Sequence, residues 1–402
     1  MPEKRSRWRA WLRSWTSSRV RIGAIVAVVL LIGIVVSIVG LNESVRGGLA
    51  GALDLNSALG DSAHADPLPP LKPVPYSHSW YIDQPDMMTE IGQRDAKWLN
   101  QQTESGVAAC STEYLTVLDF GHPTRKGATG SSLDDYAMSM FGKQDAWRTY
   151  REIEQLAKTY IDSWMASVSS CPRLVLVMGT SNFAQCSKSV GPCDVYTAGK
   201  YWDIVAHDVA DYVTQKGYGS RITGVWVGDD AETSWDPWPV TAQFLYGVRD
   251  QERTYQTHAR MVNYGDANIG ACSEVTGGCD GAWTPENVYD AAWGIGWAVP
   301  LPEAYTPTTI QRWVDVANVM SMGPSPREFM QFHGFMTQCG EADPLPLDGC
   351  YPAGESKCQF SPAVAYQRLH AADKRHPLTY ATNIQWLQPQ TNEPGSAAHP
   401  CF

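Results

Sequence analysis

The chain has 402 residues, of which 44% are hydrophobic, 11% aromatic and 18% charged, with a formal net charge of −11. That composition supports a sizeable packed core in one large domain or two ordinary ones, and it excludes a disordered chain. The acidic balance argues against nucleic acid as a partner, because a phosphate backbone is gripped by basic surfaces.

Residues 1–21 carry Lys4, Arg5, Arg7, Arg9, Arg13, Arg19 and Arg21 against Glu3 alone. Residues 22–41, IGAIVAVVLLIGIVVSIVGL, follow without a single charge. Twenty helical residues span the roughly 30 Å hydrocarbon core of a bilayer, so this stretch predicts one transmembrane helix acting as a signal anchor. Basic flanks stay cytoplasmic, which places residues 1–21 inside as a tail and the C-terminal bulk outside the membrane. The lipid bilayer is thus one expected partner, through the N-terminal helix.

Beyond the tail, 24 basic residues face 41 acidic ones, a formal charge of −17 on the part expected outside. All ten cysteines lie at or beyond Cys110, where an oxidising compartment lets disulfides persist. Spacing suggests Cys186 with Cys193, Cys272 with Cys279, and Cys110 with Cys171. No C-x-x-C pair occurs to favour zinc. Residues 42–79 are rich in Gly, Ala, Ser and then Pro, a linker that turns into a stiffer polyproline stretch. The folded domain is read as residues 80–402.

Within it, apolar runs rich in β-branched residues occur at 115–120, 173–179, 222–228, 259–265, 296–305, 328–335 and 378–386. Each predicts a strand. Helical patterns lie between them, several opened by Thr or Ser followed by Pro, a helix-start signal. Strands alternating with helices, with no Gly-rich phosphate loop, predict an α/β fold of the TIM-type (β/α) barrel class, with an eighth strand still to be placed. An open α/β sheet is the alternative.

Catalytic groups of such barrels sit at the C-terminal ends of strands. The predicted ends offer Asp119 with His122, Thr180 and Asn182, Asp229 with Asp230 and Glu232, Tyr264 and Asp266, Glu303 and Tyr305, Gln331 and His333, and Asn383, Gln385 and Trp386. If GDDAE continues its strand, Asp230 and Glu232 share one face and Asp229 takes the other. Two carboxylates that close cannot both ionise easily, so one stays protonated as a general acid while its partner remains an anion, as glycosidic cleavage requires. The competing reading makes these acids caps or Asx turns ahead of the next helix. Trp226, Trp235, Trp238, Trp283, Trp297 and Trp386 also fall near strand ends, where an indole is a sugar platform if exposed and core if buried. Trp235 and Trp238, placed in a loop, are the better binders. Tyr305, His333, Asn383 and Trp386 complete the expected substrate-binding set.

Asp119 after the first predicted strand and the D-x-E of Asp230 and Glu232 after a middle one resemble the glycoside-hydrolase-like TIM barrels of bacterial envelopes, relatives of lysozyme-type muramidases and chitinase-type enzymes. The resemblance implies that Glu232 is the proton donor, that Asp230 supports it and that Asp119 lies at the floor of the cleft. The opening VLDFGHP differs from the muramidase pattern, the repeated aspartates of chitinases are missing, and the cysteine-bearing inserts at 265–283 and 339–360 are further departures.

Other constellations carry less. His207 and Asp211 stand four apart and would share a metal in principle, though a solvated helix face explains them. Asp266 and Asn268 hint at a calcium loop without the EF-hand spacing. No G-x-S-x-G elbow, H-E-x-x-H or P-loop occurs, and no cofactor or metal is expected. The expected function is a membrane-anchored, extracytoplasmic glycoside hydrolase acting on peptidoglycan or another extracellular polysaccharide. Its acid is Glu232, and Asp119, Asp230 or Glu303 is the carboxylate partner. The alternative is a glycan- or envelope-binding module on the same barrel; a peptidase or amidase is a weaker third.

Overall fold

The structure, a computed structural model, describes residues 73–126, 132–141, 147–186, 193–255, 259–269, 283–322, 326–338, 360–372, 374 and 378–386. The transmembrane span read at 22–41 lies outside the described residues, as does the Cys272–Cys279 pair. Among the described residues no helix is long and apolar enough to cross a membrane.

The body alternates strands and helices in the order β1 (Ser77–Tyr81), α1 (Met88–Glu104), β2 (Glu113–Asp119), a hairpin insert of β3 (His122–Arg125), β4 (Tyr136–Ser139) and β5 (Trp147–Thr149), then α2 (Tyr150–Ser167) and β6 (Arg173–Ser181). The second half runs α3 (Val195–Gln215), β7 (Ile222–Asp230), α4 (Trp238–Tyr255), β8 (Met261–Asn263), α5 (Pro285–Tyr289), β9 (Ala298–Pro300), α6 (Pro307–Met322), β10 (Gly334–Thr337), α7 (Pro362–Ala372) and β11 (Tyr380–Trp386). All strands but the insert's form one parallel eight-stranded sheet in the order β10-β11-β1-β2-β6-β7-β8-β9. A parallel bridge between Glu303 and Met336 joins the two ends. It is held by Met336 N–H to the Pro302 carbonyl at 2.9 Å and Ala304 N–H to the Met336 carbonyl at 2.8 Å. The result is a TIM-like barrel, as predicted, rather than an open sheet.

The strand missing from the sequence reading is β1, SHSWY, which begins three residues ahead of the boundary set at residue 80. Its five residues are all buried, but Ser and His alternate in it where a strand signal needs apolar residues. Its serine hydroxyls bond inside the sheet instead: Ser79 Oγ lies 2.6 Å from Thr382 Oγ1 on the neighbouring β11, and Ser77 Oγ donates to the Leu115 carbonyl.

Two cores follow from strand alternation. Leu115, Val117, Val175, Val177, Val262, Leu301, Met336 and Ile384 fill the barrel interior, topped by Tyr81 and Tyr264. The opposite faces of the same strands pack against the helices around Trp164, Trp202 and Trp313, all fully buried. Truncating one such indole to Ala costs roughly 3–5 kcal/mol. Helix starts are set by side chains: Thr149 and Glu152 form a reciprocal capping box on α2, Thr284 and Asn287 another on α5, and Asp194 caps α3 through Tyr196 N–H at 3.2 Å. Each such cap contributes about 1 kcal/mol.

Two of the expected disulfides are present, Cys110–Cys171 and Cys186–Cys193. The first ties together the chain entering β2 and the chain entering β6.

Candidate active site

Alternation on β7 decides what reaches the barrel mouth. Gly228 faces the axis, where a Cβ would lie 2.5 Å from Val177 Cγ1 and 2.8 Å from Tyr264 Cε1. Two residues on, Asp230 points the same way and accepts the Tyr81 hydroxyl at 2.8 Å through Oδ2. Its Oδ1 has no hydrogen-bond partner among the described residues. Asp229 takes the other face, buried, with neither carboxyl oxygen partnered among them.

The strand stops at Asp230, so Glu232 sits on a turn rather than on a continued strand. Asn182 fixes that turn from both sides. Its Oδ1 accepts Glu232 N–H at 2.9 Å, and its Nδ2 donates to the Glu232 carbonyl at 3.0 Å. The two acids converge nonetheless, and the bridge that closes the barrel adds Glu303. One carboxyl oxygen from each of Asp230, Glu232 and Glu303 lies within 4.8 Å of the other two. Asp230 and Glu303 are buried while Glu232 is partly exposed. Glu303 accepts the Tyr305 hydroxyl at 2.6 Å, and Ser234 Oγ approaches Glu232 at 3.4 Å.

Asp119 lies apart from this trio, at the interior end of β2. Its Oδ1 accepts Gly121 N–H at 2.8 Å, and its Oδ2 lies 2.7 Å from the Tyr264 hydroxyl, which is also 2.8 Å from the Thr180 carbonyl. A carbonyl only accepts. When the single phenol hydrogen goes to Thr180, the contact to Asp119 therefore requires a proton on the carboxyl.

The electrostatics agree with that need. Burial pushes Asp119 up to about 7 against the pull of Gly121 N–H and the Tyr264 hydroxyl. Burial, then the charge of Asp266, pushes Glu232 up to about 8. Asp230 and Glu303 are both raised well above the carboxylate range, by burial first and then by Glu232. At neutral pH the cluster therefore retains protons that ordinary surface acids would have lost. The same three oxygens have the spacing of a hard divalent-cation cage.

The remaining predicted residues divide between the mouth and elsewhere. Tyr305 stands at the mouth on Glu303, and Trp235 is partly exposed with its edge against Phe183, ring centroids 5.5 Å apart. Trp238 is not in a loop: it opens α4 and packs on Trp283 at 5.1 Å. His333 lies at the wrong end, because β10 starts only at Gly334 and leaves His333 ahead of the strand, stacked near Trp293 at 6.3 Å. Asn383 turns toward the helix layer and accepts the Thr337 hydroxyl at 2.8 Å. Trp386 ends β11, and its side chain lies outside the described residues. Asp266 accepts from Thr233 N–H and hydroxyl at 3.1 Å, and Thr233 also donates to the Asn268 carbonyl at 2.7 Å. The GDAN segment thus holds the Glu232 turn through the Asp266 carboxyl and the Asn268 backbone carbonyl.

Tyr81 and Phe141 are the mouth residues absent from the sequence reading. Phe141 follows β4 of the insert and meets Tyr81 edge-on at 5.0 Å. Tyr81 belongs to the unplaced strand, and a lone Phe in an irregular insert gives no periodic signal.

No protein-family model matches the chain, and no curated protein does. Among solved structures, a conserved exported protein from Bacteroides fragilis aligns over 81% of this chain and 74% of its own, with 9% identity and a TM-score of 0.36.

Proposed function

We propose that the chain is a glycoside hydrolase acting on peptidoglycan or another extracellular polysaccharide, held at the outer face of a membrane by the 22–41 span. The carrying observation is the gathering of Asp230, Glu232 and Glu303 within 4.8 Å at the C-terminal mouth of a parallel barrel. Glu232, partly exposed and raised to about 8, is the general acid, protonated where the reaction runs. Asp230 and Glu303 offer the partner carboxylate, and the one of the two that ionises does so against its burial, helped by the tyrosine hydroxyl it accepts from Tyr81 or Tyr305. Their closeness to Glu232 is nearer the roughly 5 Å of retaining enzymes than the 6.5–9.5 Å of inverting ones. Asp119, one step deeper, positions Tyr264 at the floor. Trp235, Tyr305 and Phe141 offer aromatic faces for sugar rings.

The burial of Asp230 and Glu303, at 2% and 6% exposure, favours a second reading in which the mouth holds a glycan without cleaving it. Incubation with peptidoglycan and a panel of neutral polysaccharides, scored by new reducing ends, separates the two. Hydrolysis that disappears in Glu232→Gln while the far-UV spectrum is unchanged supports the enzyme. Glycan binding without release, indifferent to Glu232→Gln, supports the binding module.

A further inference from the structure

On the flank of the barrel, away from the mouth, a second set of ionisable groups meets between α3 and α4. Asp203 and His207 are four apart on α3, which brings them to one helix face, and Glu252 reaches them from α4. His207 Nε2 lies 2.7 Å from Glu252 Oε2 and 3.8 Å from Asp203 Oδ2. The solvated helix face read from HDVAD is therefore not what His207 occupies; Asp211, its predicted companion, is exposed and takes no part.

We propose that Asp203, His207 and Glu252 form a binding site for one divalent cation of the zinc class. One ligand atom from each lies within 4.8 Å of the others, and one imidazole with two carboxylates is a donor set that zinc accepts, leaving a fourth position for water. The independent sign of a missing partner is Asp203 itself. It is 1% exposed, and its Oδ2, 3.8 Å from His207 Nε2, meets no hydrogen-bond donor among the described residues; the side chain is paired instead with another acid, Glu252. A buried carboxyl oxygen without a partner is costly.

Space is available beside it. A cavity of about 10 Å³, bordered by Asp203, Glu252, Val227, Met261 and Ile295, has room for a single water-sized sphere. Neighbouring guanidinium groups are engaged elsewhere: Arg249 with Asp250 at 2.8 Å, and Arg260 over the Trp226 ring at 5.3 Å.

The surroundings orient the ligands as metal sites require. Glu252 Oε1 accepts Ala259 N–H at 3.0 Å, and the Tyr255 ring stacks on His207 at 3.7 Å. Tetrahedral ligands about 2.1 Å from zinc stand about 3.4 Å apart, so the His207–Glu252 contact has to open by less than about 1 Å. Bound there, a cation would clamp α3 to α4 and fix the chain entering β8.

The test titrates ZnCl2 into the untagged, EDTA-treated full chain by calorimetry near pH 7.5, in two buffers of different ionisation enthalpy. One equivalent should bind with proton release. Asp203→Asn and Glu252→Gln should each weaken it by at least about tenfold, with His207→Gln standing in for either if it fails to fold. Glu232→Gln should leave it intact. Absence of uptake overturns the assignment, as does uptake that survives both Asp203→Asn and Glu252→Gln. Loss of uptake in Glu232→Gln would move the cation to the mouth and overturn it equally.

Discussion

Tyr81 and Asp230 meet across the barrel, 149 positions apart in the chain, with the phenol oxygen 2.8 Å from the carboxyl. Among the described residues that bond is the only one the Asp230 side chain makes, since its other oxygen is unpartnered. Removing the donor in Tyr81→Phe leaves a buried carboxyl with no partner and should cost about 1–3 kcal/mol in urea denaturation. In a double-mutant cycle with Asp230→Ala, which removes the acceptor, the losses should fall short of additivity by about 1 kcal/mol. Strictly additive losses would show that the two groups do not interact.

The raised acids predict a particular pH dependence. Asp119 moves from 3.8 to about 7 and Glu232 from 4.5 to about 8, each chiefly by burial. Between about pH 4 and those values the folded state holds protons that the unfolded chain has released. The stability from these groups is complete below the unfolded values and is lost progressively as pH rises toward and through 7 and 8. Asp119→Asn is neutral throughout, so its difference from wild type isolates one share of that loss. Urea midpoints at pH 5, 6.5 and 8 should show the variant gaining on wild type as pH rises; a constant difference would contradict a raised Asp119.

The Cys110–Cys171 bridge closes a separation of 61 residues. Loop-closure entropy for that length is about 4 kcal/mol. The double variant Cys110→Ser with Cys171→Ser should lose about that much in equilibrium unfolding under oxidising conditions. A loss below about 1 kcal/mol would mean the unfolded chain is already confined there.

What could be read from the sequence follows from where each signal originates. β2 and β6 are buried on both faces after their first residue, as β7 is from Val227 onward, and all three carry apolar runs rich in Val, Leu and Ile, so their period and ends show directly. β1 is as buried as they are, but serines on the axis bond to neighbouring strands, and polar residues satisfied that way look like linker. EFMQFHGF misleads in the opposite direction. Met330 and Phe332 are fully buried ahead of β10 without belonging to it, so the apolar run marks packing rather than pairing, and His333 is displaced to the far end. Asp230, Glu232 and Glu303 were legible as strand-end acids. Alternation along GDDAE also predicts that Asp230 and Glu232 converge, although a turn held by Asn182 rather than a continued strand brings them together; the approach of Glu303 was not legible, because it depends on the bridge that closes the sheet.

Gly228 tests that geometry from inside the barrel. Its missing side chain makes room for Tyr264, whose Cε1 a Cβ would approach to 2.8 Å, and for Val177, approached to 2.5 Å. Val177 and Tyr264 are both fully buried, so neither can withdraw toward solvent. Gly228→Ala should therefore cost about 1–3 kcal/mol through overpacking. It should also shift the Tyr264 ring off Asp119 and alter the near-ultraviolet tyrosine spectrum. Gly219, where an added Cβ meets nothing within 4 Å, serves as the comparison, and Gly219→Ala should change stability by less than about 0.5 kcal/mol. Equal losses at the two positions would mean that crowding on Tyr264 is not what keeps residue 228 small, and the placement of Asp119 through that ring would lose its support.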